Sequence, residues 1–571
     1  MPKIVIPNFT GGKNSRDHQT SIADNQCASG SYGVWSPEGY LTKGPGWTLV
    51  SDFTATATNV GALYSSRTID TDFAFYTHIA SSTTNAQYNL WGQATTALGY
   101  VTGSVSISGA SLISATGSGT VWNTHASAGD LFRINSTAAS WFKVSSVEDD
   151  THLTLSDAVP VAVATGSAYT ILLGIETQPI TLTEFRGSLW AVNVTSLCQR
   201  YDGTQVTRVS AVPKAAFITV HKNYMFAART TTAESRLYWS AVGDATSWPT
   251  NNFIDIERDK GKITGIASYG NELIVFKNYS IFKLVGEIFD PSNPTYSVFP
   301  IGVPPGFGFN YHNTISIHNN ALVFSTSDGI FAYLHGTNTI TKISDLFERD
   351  LISGDGGLAS TLTNYAQRAD AISYNGLYVT KAVDFNANTD NVFGIIDKNG
   401  AWWLMRVTDF VTKGGVSRDS QFDVNPNTSL GSTPSFRSAA NSNGKIFIID
   451  LNGPDYTTTH LLNDASTQGI PSRWVSKEFV VGYGTFKKAV IYFEKQTAGT
   501  FSFDWSVDQA AFVVNSTDMT VGRGNTIRKT WDVNQKGSSI QIRIDHSTAS
   551  QTFRIFRIEI EYDLDSENRR P

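Results

Sequence analysis

A strand–turn–strand unit recurs along this chain and constrains its fold more than any other feature of the sequence. The copy at 269–276 reads YGNELIVF, with a Gly-Asn pair between two strand-like runs. Asn and Gly suit such turns because two-residue hairpin loops need positive φ. Six copies have their turns at Gly187, Asn223, Asn271, Asn320, Gly376 and Gly444, spaced from 36 residues (187 to 223) to 68 residues (376 to 444).

A second, aromatic strand follows most of these turns, as in the segments 281–286 (IFKLVG) and 330–334 (IFAYL). Four strands per repeat, at a period of about 40–50 residues, are typical of β-propeller blades. The segment 73–91 supplies an earlier blade, so the sequence predicts a divergent propeller of about six or seven blades. Two stacked β-sandwiches are the alternative architecture.

Two further units are expected outside the blades of this all-β chain. Residues 101–173 are rich in Gly, Ser, Thr and Ala, and they predict a small β-barrel inserted between one blade and the next. From 471 to 571 the strands lengthen and alternate with period 2, which predicts a C-terminal β-sandwich. The predicted propeller is 51–100 with 174–470, after an N-terminal extended segment, 1–50. Helix is expected only near Ser344 to Ile352, with Ser344 as N-cap.

Composition excludes several classes of protein. The chain has 43 Lys and Arg against 49 Asp and Glu, a formal net charge of −6, which disfavours binding of duplex nucleic acid through bulk charge. Aromatic residues make up 12%, enough apolar surface to disfavour disorder. Cys27 and Cys198 form no disulfide framework and are expected to be buried thiols. The sequence shows no signal peptide and no stretch of ~18 apolar residues, so we expect synthesis in a cytoplasm and no membrane anchor.

A search for catalytic, cofactor-binding and metal-binding motifs predicts none of these sites. His312 and His318 are six residues apart and lack zinc-binding spacing. Phosphate-binding loops and nucleophile elbows are missing from the sequence. Asp345, Glu348 and Asp350 do not have calcium-loop spacing and are expected to form a solvated helix face.

Glycan-directed function remains an alternative, because sialidases are propellers with catalytic carboxylates and a tyrosine nucleophile. The segments 325–331 and 397–403 come nearest to the repeated sialidase turn, but their Asp-to-Gly spacing indicates ordinary hairpin turns. Trp239, Trp402 and Trp403 are candidates for stacking on a sugar; packing within the blades is the favoured interpretation.

Two groups of motifs resemble those of a known family. The chain opens with 6–14 (IPNFTGGKN), 22–26 (IADNQ) and 39–46 (GYLTKGPG). A longer ordered set follows at 236–240 (RLYWS), 243–249 (GDATSWP) and 252–256 (NFIDI). These segments resemble the tail nozzle proteins of short-tailed bacteriophages, also called tail tubular protein B or tail stabilisation proteins. The resemblance covers 1–50 and roughly 175–350.

The resemblance implies a structural virion protein and no enzyme. Such a subunit would be made in the host cytoplasm and would assemble as a ring, usually a hexamer, in the tail below the portal and the head-to-tail adaptor. Tail fibres, tailspikes or a tail needle would lie around or below it. The ring would retain the genomic DNA, and the DNA would be ejected through it without sequence-specific binding. The resemblance implies no cofactor. A glycan-binding or glycan-degrading propeller, tailspike- or sialidase-like, is the alternative function.

Overall fold

The computed structural model shows an all-β protein, as the sequence predicts. Within the described residues, helix is limited to α1 Trp122–His125 and two 3-10 turns, His312–Thr314 and Asp345–Phe347. Of the helix predicted over 344–352, the described residues form the second of these turns, and 348–352 lie outside the described part of the chain. The Ser344 hydroxyl, predicted to be the N-cap, accepts the N–H of Ile330 in a neighbouring strand. The structure describes all residues except 15, 29–30, 32–33, 37, 45, 54–56, 66–73, 82–86, 94–95, 98, 136–141, 174, 177–179, 204–205, 258–260, 288, 290–294, 305–311, 327, 348–370, 375, 384–390, 397–399, 408–436, 441–445, 452–456, 464–471, 547–550 and 566–571.

The N-terminal residues form four strands that join two different sheets. They are β1 Lys3–Ile6, β2 Val34–Trp35, β3 Leu41–Lys43 and β4 Gly46–Phe53. The first three belong to the C-terminal sheet and β4 belongs to the last blade. The boundary predicted at residue 50 therefore falls inside β4.

The first blade contains the inserted barrel. Its strands are β5 Ala57–Ser65, β6 Ala74–Ser81 and β7 Gln87–Gln93, with β8 Thr96–Ala97 pairing beside β7. After the insert, β16 Ile175–Glu176 returns to pair with β7, with Ile175 opposite Asn89. The insert therefore lies within a blade, between β8 and β16, the two short strands that both pair with β7, and the prediction that it separates two blades is wrong. The reason is that β16 has only two residues, and so short a strand gives too weak a sequence signal to be recognised about 80 residues from its partner β7.

The insert is a seven-stranded sheet in the order β14-β9-β10-β13-β12-β11-β15. Strands β14 and β15 are consecutive and pair at opposite edges, so the sheet closes on itself around Trp122, Phe132 and Tyr169. Arg208 in the second blade forms an ion pair with the buried Asp130 of the insert. The strands are β9 Ser104–Ile107, β10 Ser114–Ser118, β11 Leu131–Ile134, β12 Phe142–Val147, β13 His152–Leu155, β14 Val163–Ser167 and β15 Tyr169–Leu172.

Five further blades are four-stranded antiparallel sheets, each in simple up-and-down order. Three of the six predicted turns adopt the expected conformation, with positive φ at both turn residues: Arg186-Gly187, Lys222-Asn223 and Asn319-Asn320. At 270–271 only Gly270 has positive φ, and residues 375 and 444 lie outside the described residues. The strands are β17 Thr181–Phe185, β18 Ser188–Val192, β19 Cys198–Tyr201, β20 Val206–Val209, β21 Phe217–His221, β22 Tyr224–Ala228, β23 Arg236–Trp239, β24 Phe253–Asp255, β25 Ile263–Tyr269, β26 Glu272–Lys277, β27 Ile281–Val285, β28 Ser297–Ile301, β29 Ser316–His318, β30 Ala321–Thr326, β31 Gly329–Tyr333, β32 Ile340–Lys342, β33 Ala371–Tyr374, β34 Leu377–Val383, β35 Asn391–Ile396 and β36 Trp402–Val407.

The seventh blade closes the ring. It consists of β37 Arg437–Ala440, β38 Ile446–Leu451 and β39 Thr457–Asn463, completed by β4 from the other end of the chain. The inner strands of successive blades are in contact, β25 through the 3-10 turn His312–Thr314 that precedes β29, and β37 contacts β5 of the first blade. Seven blades therefore surround one axis, within the range predicted from the turn spacing.

The remaining strands belong to one curled nine-stranded sheet, at the position predicted for the sandwich. Its core also takes in Ile6 and Phe9 from the N-terminal segment and Trp403 from the sixth blade. Both ends of the chain and one blade thus share a hydrophobic core. The strands are β40 Ser472–Val475, β41 Phe479–Glu494, β42 Thr500–Val507, β43 Ser516–Asp518, β44 Thr526–His546 and β45 Arg554–Leu564.

Candidate functional surfaces

The turns between the first and second strands of the blades lie on one face of the propeller, because the blades share one strand order. We call this the hairpin face. At four successive junctions on it, a side chain of one blade bonds to the next blade, which fixes adjacent blades relative to each other. The contacts are Arg186 Nη2 to Asn223 Oδ1 at 3.1 Å, His221 Nδ1 to Ser268 Oγ at 2.8 Å, the Tyr269 hydroxyl to the Asn320 carbonyl at 2.5 Å, and His318 Nδ1 to Ser373 Oγ at 3.2 Å.

The strongest sequence motif, 236–256, forms the outer half of the third blade, and its loop covers one of these junctions. Gly243 has φ +71°, and its N–H donates to the carbonyl of Asn223 at 2.7 Å. A Cβ at Gly243 would lie 2.6 Å from Arg186 Nη2. The loop conformation is held locally by the Asp244 carboxylate, which accepts the Thr246 N–H at 2.8 Å. The motif therefore has a structural role at the junction of the second and third blades.

On the outer edge of the same blade, Arg236 stacks on an aromatic ring. Its guanidinium carbon lies 3.8 Å from the centroid of Phe253. Asp255, directly opposite in the next strand, accepts from Nε at 2.7 Å and from Nη2 at 2.8 Å. The hydrogen bonds to this carboxylate raise the pKa of Arg236 and lower the pKa of Asp255. The guanidinium of Arg236 thus has its carboxylate partner within the same blade.

The N-terminal segment joins the sixth blade to the C-terminal sheet. The N–H of Lys13 donates to the carbonyl of Trp402 at 2.7 Å, and Phe9 packs edge-on against Trp474 with ring centroids 5.3 Å apart. Gly12 has φ +68°, and a Cβ there would lie 2.7 Å from the Trp402 carbonyl oxygen. Gly11 does not have positive φ, but its added Cβ would lie 2.7 Å from the Asn25 side chain. Close packing requires glycine at this junction.

A tyrosine–carboxylate pair with the chemistry of a sialidase nucleophile is present but buried. The Tyr333 hydroxyl donates to Glu272 Oε2 at 2.6 Å, and Lys283 Nζ donates to Oε1 at 2.8 Å. Tyr333 is 1% exposed and Glu272 is 5% exposed. Burial raises the pKa of Tyr333, and its bond to Glu272 raises it further. The pair holds the fourth and fifth blades together and presents no group to solvent.

The aromatic candidates for sugar stacking are buried, Trp239 and Trp402 in the blade cores and Trp403 in the core of the C-terminal sheet. Trp239, Trp402 and Trp403 are at most 3% exposed. The Trp239 indole N–H donates to the carbonyl of Phe289 at 2.6 Å, and that of Trp402 donates to the carbonyl of Ile343 at 2.8 Å. None of the three offers a ring face to a ligand.

The remaining titratable candidates occupy separate positions. His318 takes part in a blade junction, whereas His312 lies against Phe217, and burial lowers the pKa of His312 to about 4. Cys27 and Cys198 are buried thiols, as the sequence predicts. Asp345 lies in a 3-10 turn, while Glu348 and Asp350 are outside the described residues. Within the described ranges, no three His, Cys, Asp or Glu side chains are grouped to hold a metal ion. No helix among them is long and apolar enough to cross a membrane.

No protein family model matches the chain, and no curated protein matches it. Solved structures resemble it at low identity. PorZ, a surface component of the type-IX secretion system of Porphyromonas gingivalis, is 12% identical with a TM-score of 0.31; the match covers 64% of this chain and 38% of PorZ. A computationally designed protein is 10% identical with a TM-score of 0.32, covering 72% and 99%. An exo-β-1,3-galactanase from Phanerochaete chrysosporium is 11% identical with a TM-score of 0.24, covering 68% and 96%. These TM-scores are too low to inform function.

Proposed function

We propose that this protein is a structural subunit of a bacteriophage tail nozzle, located in the virion tail. The proposal starts from the ordered motifs of 1–50 and 236–256, which resemble that family. The observation that carries it furthest is the shared core of the N-terminal segment, the sixth blade and the C-terminal sheet. A subunit in a ring that retains pressurised DNA must transmit force between its ends, and a continuous close-packed core does so.

The inner strands support a scaffold rather than a glycosidase. Glycoside hydrolysis ordinarily uses two carboxyl groups about 5–9.5 Å apart. Across all seven inner strands the sequence has a single carboxylate, Glu184, and a single other charged residue, Arg437. The inner strands by themselves therefore supply one carboxyl group where such a centre uses two. We therefore propose no enzymatic activity.

In this proposal the subunits form a ring, with a hexamer as the expected state, and DNA passes through the centre of the ring. The adaptor protein would lie above it, and tail fibres, tailspikes or a tail needle around or below it. A net charge of −6 suits rapid passage, because a basic lumen would hold phosphates. No sequence-specific contact with DNA is expected.

Electron microscopy of the purified protein, and of virions containing it, tests the proposal. We expect a six-fold ring with an axial hole, located in the tail. A monomer that binds or cleaves a glycan, tested on a glycan array and by release of reducing sugar, would overturn the proposal in favour of a tailspike- or sialidase-like propeller.

A further inference from the structure

A second arginine of the third blade, Arg229, also lies over a phenylalanine ring, at a greater distance than Arg236 and without a carboxylate. Its guanidinium carbon lies 5.8 Å from the centroid of Phe217. Among the described residues, no hydrogen bond or ion pair to this guanidinium is present. Glu234 is close enough to act on its charge but forms no ion pair with it. The same blade thus holds one arginine–phenylalanine pair with a bidentate carboxylate and one without.

The main chain fixes Arg229 in an uncommon conformation. Its φ is +60°, in the left-handed region that a residue with a Cβ rarely adopts. Its N–H donates to the carbonyl of Arg236 at 3.2 Å, and its carbonyl accepts the N–H of Ala216 at 2.9 Å. Such strain persists where the surroundings determine it, and it concentrates at functional positions. The backbone therefore directs this side chain onto Phe217 instead of leaving it free in solvent.

The environment of Arg229 is only partly hydrated. Burial lowers the pKa of its guanidinium, an effect that Glu234 partly opposes. Phe217 also contacts His312, with ring centroids 4.6 Å apart. A cation that has lost part of its hydration shell gains more from a charge-assisted bond than an exposed one. Because Arg229 follows the second strand of its blade, it lies on the face opposite the hairpin face.

We propose that Arg229 and Phe217 form a binding site for an oxyanion, with a carboxylate as the preferred group. The guanidinium supplies a planar pair of donors that matches a carboxylate, and Phe217 holds that plane in position. Asp255 performs this role for Arg236 from within the chain, whereas the group that binds Arg229 comes from outside it. The carboxylate belongs to a free acid or to an acidic side chain of a partner, including a second copy of this chain.

Thermal unfolding in sodium succinate or sodium phosphate, at constant ionic strength against sodium chloride and at pH 7.5, tests the site. The wild-type Tm should rise by a few degrees and saturate with succinate. R229Q should weaken the apparent affinity at least tenfold, and R229K, which keeps the charge but loses the planar donors, should fall between the two. R236Q is the matched control and should respond as the wild type does, because the stack it alters already has its carboxylate.

The proposal is overturned if the wild-type Tm shows no saturable rise, or if R229Q and the wild type respond alike. Should R229Q fail to fold by circular dichroism, R229K decides, since an unchanged response in R229K also overturns the proposal. A response to phosphate equal to that to succinate assigns the site to oxyanions in general. Light scattering identifies the source: loss of self-association in R229Q assigns the carboxylate to a second copy, and unchanged mass assigns it to a free acid or another protein.

Discussion

At the scale of single residues, Gly12 shows how a backbone position can be fixed by both conformation and space. Its φ is +68°, and an added Cβ would lie 2.7 Å from a carbonyl oxygen of the sixth blade. We expect Gly12→Val to lower the free energy of unfolding by more than the roughly 1–2 kcal/mol of backbone strain alone. Urea unfolding followed by tryptophan fluorescence measures the loss.

Gly39→Val is the matched control for that measurement. Gly39 has φ +92°, but nothing lies within 4 Å of its added Cβ. The control therefore reports strain without the clash. Equal losses in the two variants would show that the contact with the sixth blade contributes nothing.

Buried histidines predict sensitivity to acid. Burial, with a smaller effect of nearby Lys43, lowers the pKa of His546 to about 4 from an ordinary value near 6.5. The folded protein therefore binds fewer protons at this site than the unfolded chain. The contribution of His546 to the free energy of unfolding is therefore fully present above pH 6.5. It is lost as the pH drops towards 4, and the loss is at most about 3 kcal/mol.

His546→Leu should reduce this loss. Within the described structure neither ring nitrogen of His546 has a hydrogen-bond partner, so replacing the ring with an apolar side chain should cost little at neutral pH. Urea unfolding at pH 7.5 and pH 5 provides the comparison, with exposed His18→Gln as the control. The same pH dependence in His546→Leu and the wild type would contradict the assignment.

At the scale of elements, the barrel is the part of the chain that we expect to be separable. Tyr100 and Ile171 form a bridge with reciprocal N–H to carbonyl bonds of 2.8 and 2.9 Å. Deleting 103–170 joins Thr102 to Ile171 and leaves residues 101 and 102 as a two-residue turn, a length typical of hairpins. We expect a soluble propeller with a strand-dominated circular dichroism spectrum, measured after replacing 101–102 with Asn-Gly.

Loss of the ion pair between Arg208 and the barrel needs its own control in that experiment. Asp130→Asn removes the charge of the buried carboxylate while keeping the barrel. An insoluble deletion protein beside a soluble Asp130→Asn variant would show that the barrel is integral to the propeller.

How far the sequence predicts these elements depends on the range of each signal. Turns such as Lys222-Asn223 are readable because a two-residue loop needs positive φ, a property of the residues themselves. The pairing of β4 with β39 cannot be predicted in this way, since the two strands are about 400 residues apart and nothing in either local sequence indicates the other as its partner. The proposed site at Arg229 could likewise not be predicted from the sequence, because it depends on the contact with Phe217 and on the comparison with Arg236.

At the scale of the whole molecule, the C-terminal sheet should not be separable as the barrel is. Its core includes Ile6, Phe9 and Trp403, which come from the N-terminal segment and the sixth blade. A chain ending at residue 470 would expose these side chains, at a cost of roughly 1.5–3 kcal/mol for each large one. We expect it to aggregate, measured as the soluble fraction beside the 103–170 deletion; equal solubility of the two would contradict the shared core.

If the protein is a nozzle subunit, as proposed, the packing of Gly11 and Gly12 in the N-terminal segment should matter for assembly of the tail. A Cβ at Gly12 would meet Trp402 of the sixth blade, and one at Gly11 would meet Asn25 of the N-terminal segment itself, so replacing both glycines with Val should displace that segment from the C-terminal sheet. Phage carrying the double variant should package DNA but leak it or lack complete tails, because the subunit can no longer hold its two ends together. Phage carrying Gly39→Val, strained but unclashed, should infect far better. Nuclease-sensitive DNA and tail completeness by electron microscopy are the measurements; normal infectivity of the double variant would show that this junction has no part in assembly.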